Sequence, residues 1–128
     1  MFAVRTAGHV IDNAALGSIE YGVEEAHVPL VVVLGHERCG AVVASIEAVE
    51  HNAQAPGHIA HLVDGIRPAI AAAGRDGDVT DNVVRQNTML TVAALKAQPI
   101  LAEAILHGAV RIVGARYDLE TGVVDWIA

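Results

Sequence analysis

Val28-Pro29-Leu30-Val31-Val32-Val33-Leu34-Gly35-His36-Glu37-Arg38-Cys39-Gly40-Ala41 is the stretch on which the fold turns. From Val28 to Leu34 it is continuously apolar, with Pro29 near its start, the pattern of a parallel strand buried on both faces. Gly35 closes the run, and a helix is expected from about Cys39 to Glu50. Open α/β sheets place their sites outside the carboxyl ends of the strands, which is where Gly35 to Gly40 falls. Glycines on either side let the backbone turn sharply and approach a ligand. His36 and Cys39 are three positions apart, so one turn can aim both at a single metal ion. A cysteine near a helix N-terminus has its thiolate favoured by the exposed N–H groups, and imidazole with thiolate is a zinc-type donor pair. Taken alone, the same spacing more often means a packed cysteine beside an ordinary histidine; the strand before it and the flanking glycines bring the two readings level.

Outward from this stretch, strands and helices alternate. Met1 to Thr6 reads as a short strand ending in the turn Ala7-Gly8-His9. Asp12 or Asn13 caps a helix reaching about Ala26, with Leu16, Ile19, Glu20 and Val23 at helical spacing. After the loop His51 to Gly57, Ile59 to Ala73 is helical, and Pro68 is expected to kink or split it. Gly74 to Asp78 is a turn, a longer helix covers about Thr80 to Lys96, and Pro99 starts another that ends at His107-Gly108. Ala109 to Arg116 is a strand, Glu120-Thr121-Gly122 a turn, and Val123 to Ile127 a last strand. The expected fold is α/β: a mostly parallel sheet flanked by helices on both faces, with an antiparallel C-terminal edge strand. No repeat or linker interrupts the chain, so residues 1–128 read as a single domain.

A chain of 128 residues, 53% of them hydrophobic, can bury a real core and is not a disordered polymer. Its formal charge of −7, with only eight scattered Lys and Arg, argues against a nucleic-acid partner. No apolar run approaches the roughly 18–20 residues that span a bilayer, and no basic start followed by an apolar stretch resembles a signal peptide. A cytoplasmic protein with no membrane partner is expected. The single cysteine rules out an intrachain disulfide, leaving Cys39 packed, reactive or metal-bound. Among the seven histidines, His51, His58 and His61 straddle a loop and read as surface residues rather than a second metal site.

The motif and its surroundings resemble the β-class carbonic anhydrases. Val31 to Ala41 is similar to that family's signature, an apolar strand followed by Gly-His-x-x-Cys-Gly and a helix. Phe2 to His9 resembles the family's second strand and turn, and Ser18-Ile19-Glu20-Tyr21 its Ser-x-Glu-Tyr helix. Asn82-Val83 with Gln86, Pro99-Ile100-Leu101, and Val113 to Asp118 with Thr121-Gly122 resemble its C-terminal half. The likeness runs in order over nearly the whole chain. It implies a zinc enzyme for the reversible hydration of carbon dioxide to bicarbonate, with His36 and Cys39 as the second and third protein ligands of one zinc per site. It also implies self-association as a dimer or higher oligomer. Gly40, after the cysteine ligand, and His9, at the same sheet end, become candidates for the substrate pocket. His9 could also be a substitute ligand, although a plain turn histidine near the pocket is the commoner case. Arg5 and Tyr117 match positions that in some family members bind bicarbonate away from the zinc, although Arg5 could instead pair with an acid such as Glu20.

The family's first ligand belongs to a Cys-x-Asp-x-Arg motif on its first strand, and that motif also supplies the Asp–Arg dyad that orients the zinc-bound hydroxide. Neither occurs in this sequence, where Arg75-Asp76 lies in a polar turn. The resemblance therefore assigns no catalytic residue, and implies that the family's N-terminal helices and first strand are missing here, as in a truncated form, a late-start reading frame or a natural variant. Impaired or absent activity is the expectation. The alternatives are a non-catalytic structural or bicarbonate-binding relative and a related zinc hydrolase of carbon disulfide. Trp126 reads as a packing or interface residue.

Overall fold

The computed structural model describes residues 1–128. A short 3₁₀ turn, Ala7–His9, precedes α1 (Asn13–Glu24), β1 (Leu30–His36), α2 (Gly40–Glu50), α3 (Ile59–Ala72), α4 (Val79–Lys96), α5 (Pro99–Leu106), β2 (Arg111–Tyr117) and β3 (Val124–Trp126). The cap expected at Asp12 forms, and the structure adds a second at Asp78. The Asp12 carboxylate accepts from the Ala15 N–H at 2.9 Å, and that of Asp78 from the Asp81 N–H at 3.0 Å, each satisfying a donor that a helix start leaves unpaired. Pro99 opens α5, where its missing N–H removes no intrahelical bond.

The sheet has the order β1-β2-β3. β1 and β2 are parallel, from Leu30 opposite Arg111 to His36 opposite Tyr117. β2 and β3 are antiparallel, from Ala115 opposite Trp126 to Tyr117 opposite Val124. The α/β class and the antiparallel C-terminal edge are as the sequence predicts.

Three expectations need correction. Met1 to Thr6 forms no strand; it pairs with no other segment and its side chains are exposed. A strand exists through its ladder, and what holds this segment is a side chain instead: the Phe2 ring stacks on Tyr21, centroids 6.4 Å apart. Pro68 does not split α3, which runs unbroken because Ile66, Ala69 and Ile70 on either side of it are buried. Finally, β1 is buried on one face only. Val33 and Gly35 point at α4, while Leu30, Val32 and Leu34 alternate with them and are 39–48% exposed. The helices pack on a single face, so a continuous apolar run here does not mean two covered faces. Val124 and Trp126 extend the bare face across β3.

Two apolar clusters fill the covered side. One joins Val23, Val33, Val92, Leu95, Leu101, Ala104, Val110 and Ile112; the other joins Cys39, Val42, Ile66, Ala69, Ile70, Val83 and Val84. The second supports the turn after β1. No single helix is long and apolar enough to cross a membrane.

Candidate metal centre

β1 delivers His36 at its last position, and the Glu37 N–H donates to the Tyr117 carbonyl at 3.1 Å, so cross-strand contact continues one residue beyond the strand. Arg38 then reverses the chain in the left-handed region, φ 53°, a conformation that a non-glycine residue adopts only when its surroundings hold it. Cys39 is the N-cap of α2. Cys39 is 6% exposed and packs into the second cluster, whereas His36 is exposed.

His36 and Cys39 line one open pocket of about 410 Å³ together with Arg5, Thr6, Ala7, Gly8, Gly40 and Ala41. The His36 Nδ1 lies 2.8 Å from the Glu37 carbonyl. A carbonyl only accepts, so this contact places the proton on Nδ1 and leaves Nε2 with its lone pair, the arrangement that orients metal-binding imidazoles. Gly8 forms part of the wall at φ 62°, and a Cβ there would lie 2.7 Å from Ile66 Cδ1. A Cβ on Gly40 would meet nothing within 4 Å, so Gly40 leaves the mouth open.

The other sequence candidates separate. Arg5 is in the pocket wall and takes part in no ion pair, with Glu20 or any other acid. Tyr117 is the register partner of His36 but does not line the pocket, so it does not share that wall with Arg5. His9 also lies outside the lining. Its Nε2 is 3.3 Å from the Thr88 hydroxyl and its Nδ1 3.4 Å from the Thr91 hydroxyl. The Thr88 hydroxyl already donates to the Val84 carbonyl at 2.9 Å, so it accepts from Nε2, leaving Nδ1 to accept from Thr91. Both ring nitrogens are engaged. Burial lowers the His9 pKa, its own backbone hydrogen bond opposes that, and the neighbouring His36 lowers it further.

A group of charges behind the turn was not legible as a site in the sequence. Arg116 reaches Asp81 at 2.7 Å, Asp118 at 3.4 Å and Glu37 at 3.6 Å; Arg85 reaches Asp81 at 2.8 Å and Asp125 at 3.3 Å. The i,i+4 pair of Asp81 and Arg85 on a helix is a sequence signal, but Arg116 is 35 positions away and only the fold brings it in. Burial by itself would raise the Asp81 pKa; hydrogen bonds from Arg85 and Arg116 and their charges outweigh it and hold the carboxyl below its usual value of 3.8. A depressed folded-state pKa contributes stability that is complete above the unfolded value and fades as pH falls through the folded one. Urea midpoints measured between about pH 5 and pH 2 should therefore fall with acid. Asp81→Asn should lower the midpoint at the upper end and flatten the slope; an unchanged slope contradicts the assignment.

Comparison with known proteins identifies the setting. The family model described as carbonic anhydrase matches residues 1–124. The chain belongs to the β-class carbonic anhydrase family. Over 124 residues it is 44% identical to carbonic anhydrase 2 of Mycobacterium tuberculosis, a match covering 95% of this chain and 60% of that protein. It is 42% identical over 127 residues to a carbonic anhydrase of Mycolicibacterium smegmatis, covering 98% and 62%. The chain thus spans about three fifths of the length of these curated anhydrases. A tetrameric β-carbonic anhydrase of Sordaria macrospora superposes with a TM-score of 0.86 at 18% identity, over 99% of this chain and 68% of that one. The Coccomyxa β-carbonic anhydrase, solved with acetazolamide, gives 0.81 at 23% identity, over 97% and 59%. The fold is that of these anhydrases.

Carbonic anhydrases are generally zinc enzymes, so the donor set can be tested against zinc. In kind it fits: an imidazole with a free Nε2 and a thiol on one pocket wall. In number it falls short, because no group of three or more His, Cys, Asp or Glu residues comes together anywhere in this chain to hold a metal. A catalytic zinc takes three protein donors; this chain's own residues offer two.

Proposed function

We propose that residues 1–128 form one anhydrase domain in which His36 and Cys39 hold one side of a zinc site for the reversible hydration of carbon dioxide to bicarbonate. The observation that carries this reading is the shared pocket: an exposed imidazole oriented by its Nδ1 bond and a cysteine at a helix start, three positions apart and opening on the same space. Zinc, when bound, lowers the pKa of water so that hydroxide is available near neutral pH. The chain's own contribution is to present two donors, keep the mouth open at Gly40 and place the Arg5 cation in the wall, where it would attract an anion such as bicarbonate. With two donors and no Asp–Arg dyad, the 128-residue polypeptide by itself is impaired or inactive. A second reading, a non-catalytic bicarbonate-binding module, is favoured by one observation: Arg5 lines the pocket without a carboxylate partner. A cytoplasmic location without nucleic-acid or membrane partners accords with the net charge of −7. Self-association accords with the bare apolar sheet face of Leu30, Val32, Leu34 and Trp126, a kind of surface that marks interaction sites.

Stopped-flow hydration of carbon dioxide by the 128-residue polypeptide, supplied with equimolar zinc, should give a rate no greater than zinc and buffer alone. Sedimentation of the same sample should show dimers or larger species. Vigorous hydration with about one zinc per chain would overturn the impairment. Bicarbonate binding that disappears in Arg5→Ala, in the absence of hydration, would establish the module instead.

A further inference from the structure

We propose that Glu37 is a positioning residue that fixes the relative placement of His36 and Cys39 by fastening their turn to the loop between β2 and β3. The proposal rests on the reading of His36 and Cys39 as metal donors and adds how their geometry is held.

Every polar part of Glu37 is committed. Its N–H donates to the Tyr117 carbonyl at 3.1 Å, and its carbonyl lies 2.8 Å from His36 Nδ1. Its carboxylate is mostly buried, with 16% of the side chain exposed. One oxygen, Oε1, accepts from the Leu119 N–H at 2.6 Å and the Glu120 N–H at 3.2 Å, while Oε2 faces Arg116 at 3.6 Å.

The loop that Glu37 grips is braced from within. The Asp118 carboxylate accepts from the Glu120 and Thr121 N–H groups, both at 2.9 Å, the Thr121 hydroxyl accepts from the Val123 N–H at 3.2 Å, and the Gly122 N–H donates to the Asp118 carbonyl at 2.9 Å. None of these bonds uses the Leu119 N–H, which is left for Glu37. The loop is thus a fixed anchor, and the left-handed Arg38 is the joint beyond it, between the anchor and Cys39. With the Glu37 carboxylate released, the turn keeps only the Glu37 N–H bond to Tyr117 and the exposed pair of Arg38 with Glu120 at 3.2 Å, a solvent-screened contact that holds little, so Arg38 is freer to relax and carry Cys39 away from His36. Groups that orient metal donors in this way typically govern affinity by 10–100-fold.

Side-chain length is the specific requirement. Glutamine keeps the reach and an acceptor oxygen; aspartate keeps the charge but is one methylene short of the loop. The experiment compares Glu37→Ala, Glu37→Gln and Glu37→Asp in the 128-residue chain by two readouts: native-state alkylation of Cys39 by iodoacetamide, and Co²⁺ titration followed by the thiolate-to-metal absorption band. Alkylation is corrected for global unfolding using each variant's urea midpoint. Expected for alanine and aspartate is alkylation about 10-fold faster and Co²⁺ binding weaker by about 10–100-fold, with glutamine close to the parent. Alkylation unchanged in Glu37→Ala overturns the proposal. So does rescue by aspartate but not glutamine, which would make the Arg116 pairing the operative contact. A parent chain that takes up no Co²⁺ overturns the metal reading beneath, and Cys39 alkylation then decides the positioning claim by itself.

Discussion

Replacing Gly35 with alanine should destabilise the fold by about 1–3 kcal/mol, the usual cost of forcing a methyl group into a filled core. The new Cβ would lie 2.6 Å from the Thr88 hydroxyl oxygen and 3.0 Å from Val84 Cγ1. Neither neighbour can easily yield. Thr88 is fully buried, and its hydroxyl is tied to the Val84 carbonyl and to His9; Val84 is 2% exposed. For a domain of this size each kcal/mol lowers the melting temperature by about 4 °C, so the change is easily read by circular dichroism. Gly35→Val should prevent stable folding. The damage also reaches the pocket, because Gly35 is the residue before His36 and the clash pushes β1 away from α4. Gly40→Ala is the matched control from the same motif: its Cβ meets nothing within 4 Å, and alanine at a helix start is no worse than glycine, so stability should stay within about 0.5 kcal/mol of the parent. Equal stability of the Gly35→Ala and parent chains would show that the strand and α4 are not packed as described.

The contrast between these two glycines shows what a sequence discloses. Both are visible as turn-permitting residues around His36 and Cys39, but only the structure tells that one is a packing requirement and the other an opening. The α/β class, the cap at Asp12, and the antiparallel β3 follow from local signals such as periodicity, capping residues and turn residues, and these were legible. The strand expected at Met1 to Thr6 was not a local matter, since pairing needs a partner and none is present. The two-sided burial of β1 failed for the same reason: an apolar run records what a strand can tolerate, and its neighbours decide which face is covered. The site was half legible. His36 and Cys39 stand together in the sequence, and the pocket walls bring Arg5 and Gly40 to them. His9, read as a possible pocket residue, has both nitrogens occupied by Thr88 and Thr91, a fact of helix α4 packing that nothing around His9 announces. Glu37 was in view between the two donors, yet its role depends on the Leu119 and Glu120 amides 82 and 83 positions away.

The largest functional effect should come from the donors themselves. Structural zinc sites with four donors bind with about 10–16 kcal/mol, or about 3 kcal/mol per donor, so the loss of one donor should weaken a metal by about 100-fold. His36→Ala and Cys39→Ser should each produce this loss, and the double variant, left with neither donor, should show no metal binding at this pocket. His9→Ala should leave metal affinity unchanged.

The most direct test of the claim that His36 and Cys39 face one metal ion is Co²⁺ titration of the 128-residue chain, followed by the thiolate-to-cobalt absorption band and by X-ray absorption at the cobalt edge. The account predicts a thiolate band, a single sulfur among nitrogen and oxygen neighbours, and loss of both signals in Cys39→Ser with strong weakening in His36→Ala. Cobalt bound without sulfur, or bound equally well by Cys39→Ser, would contradict it.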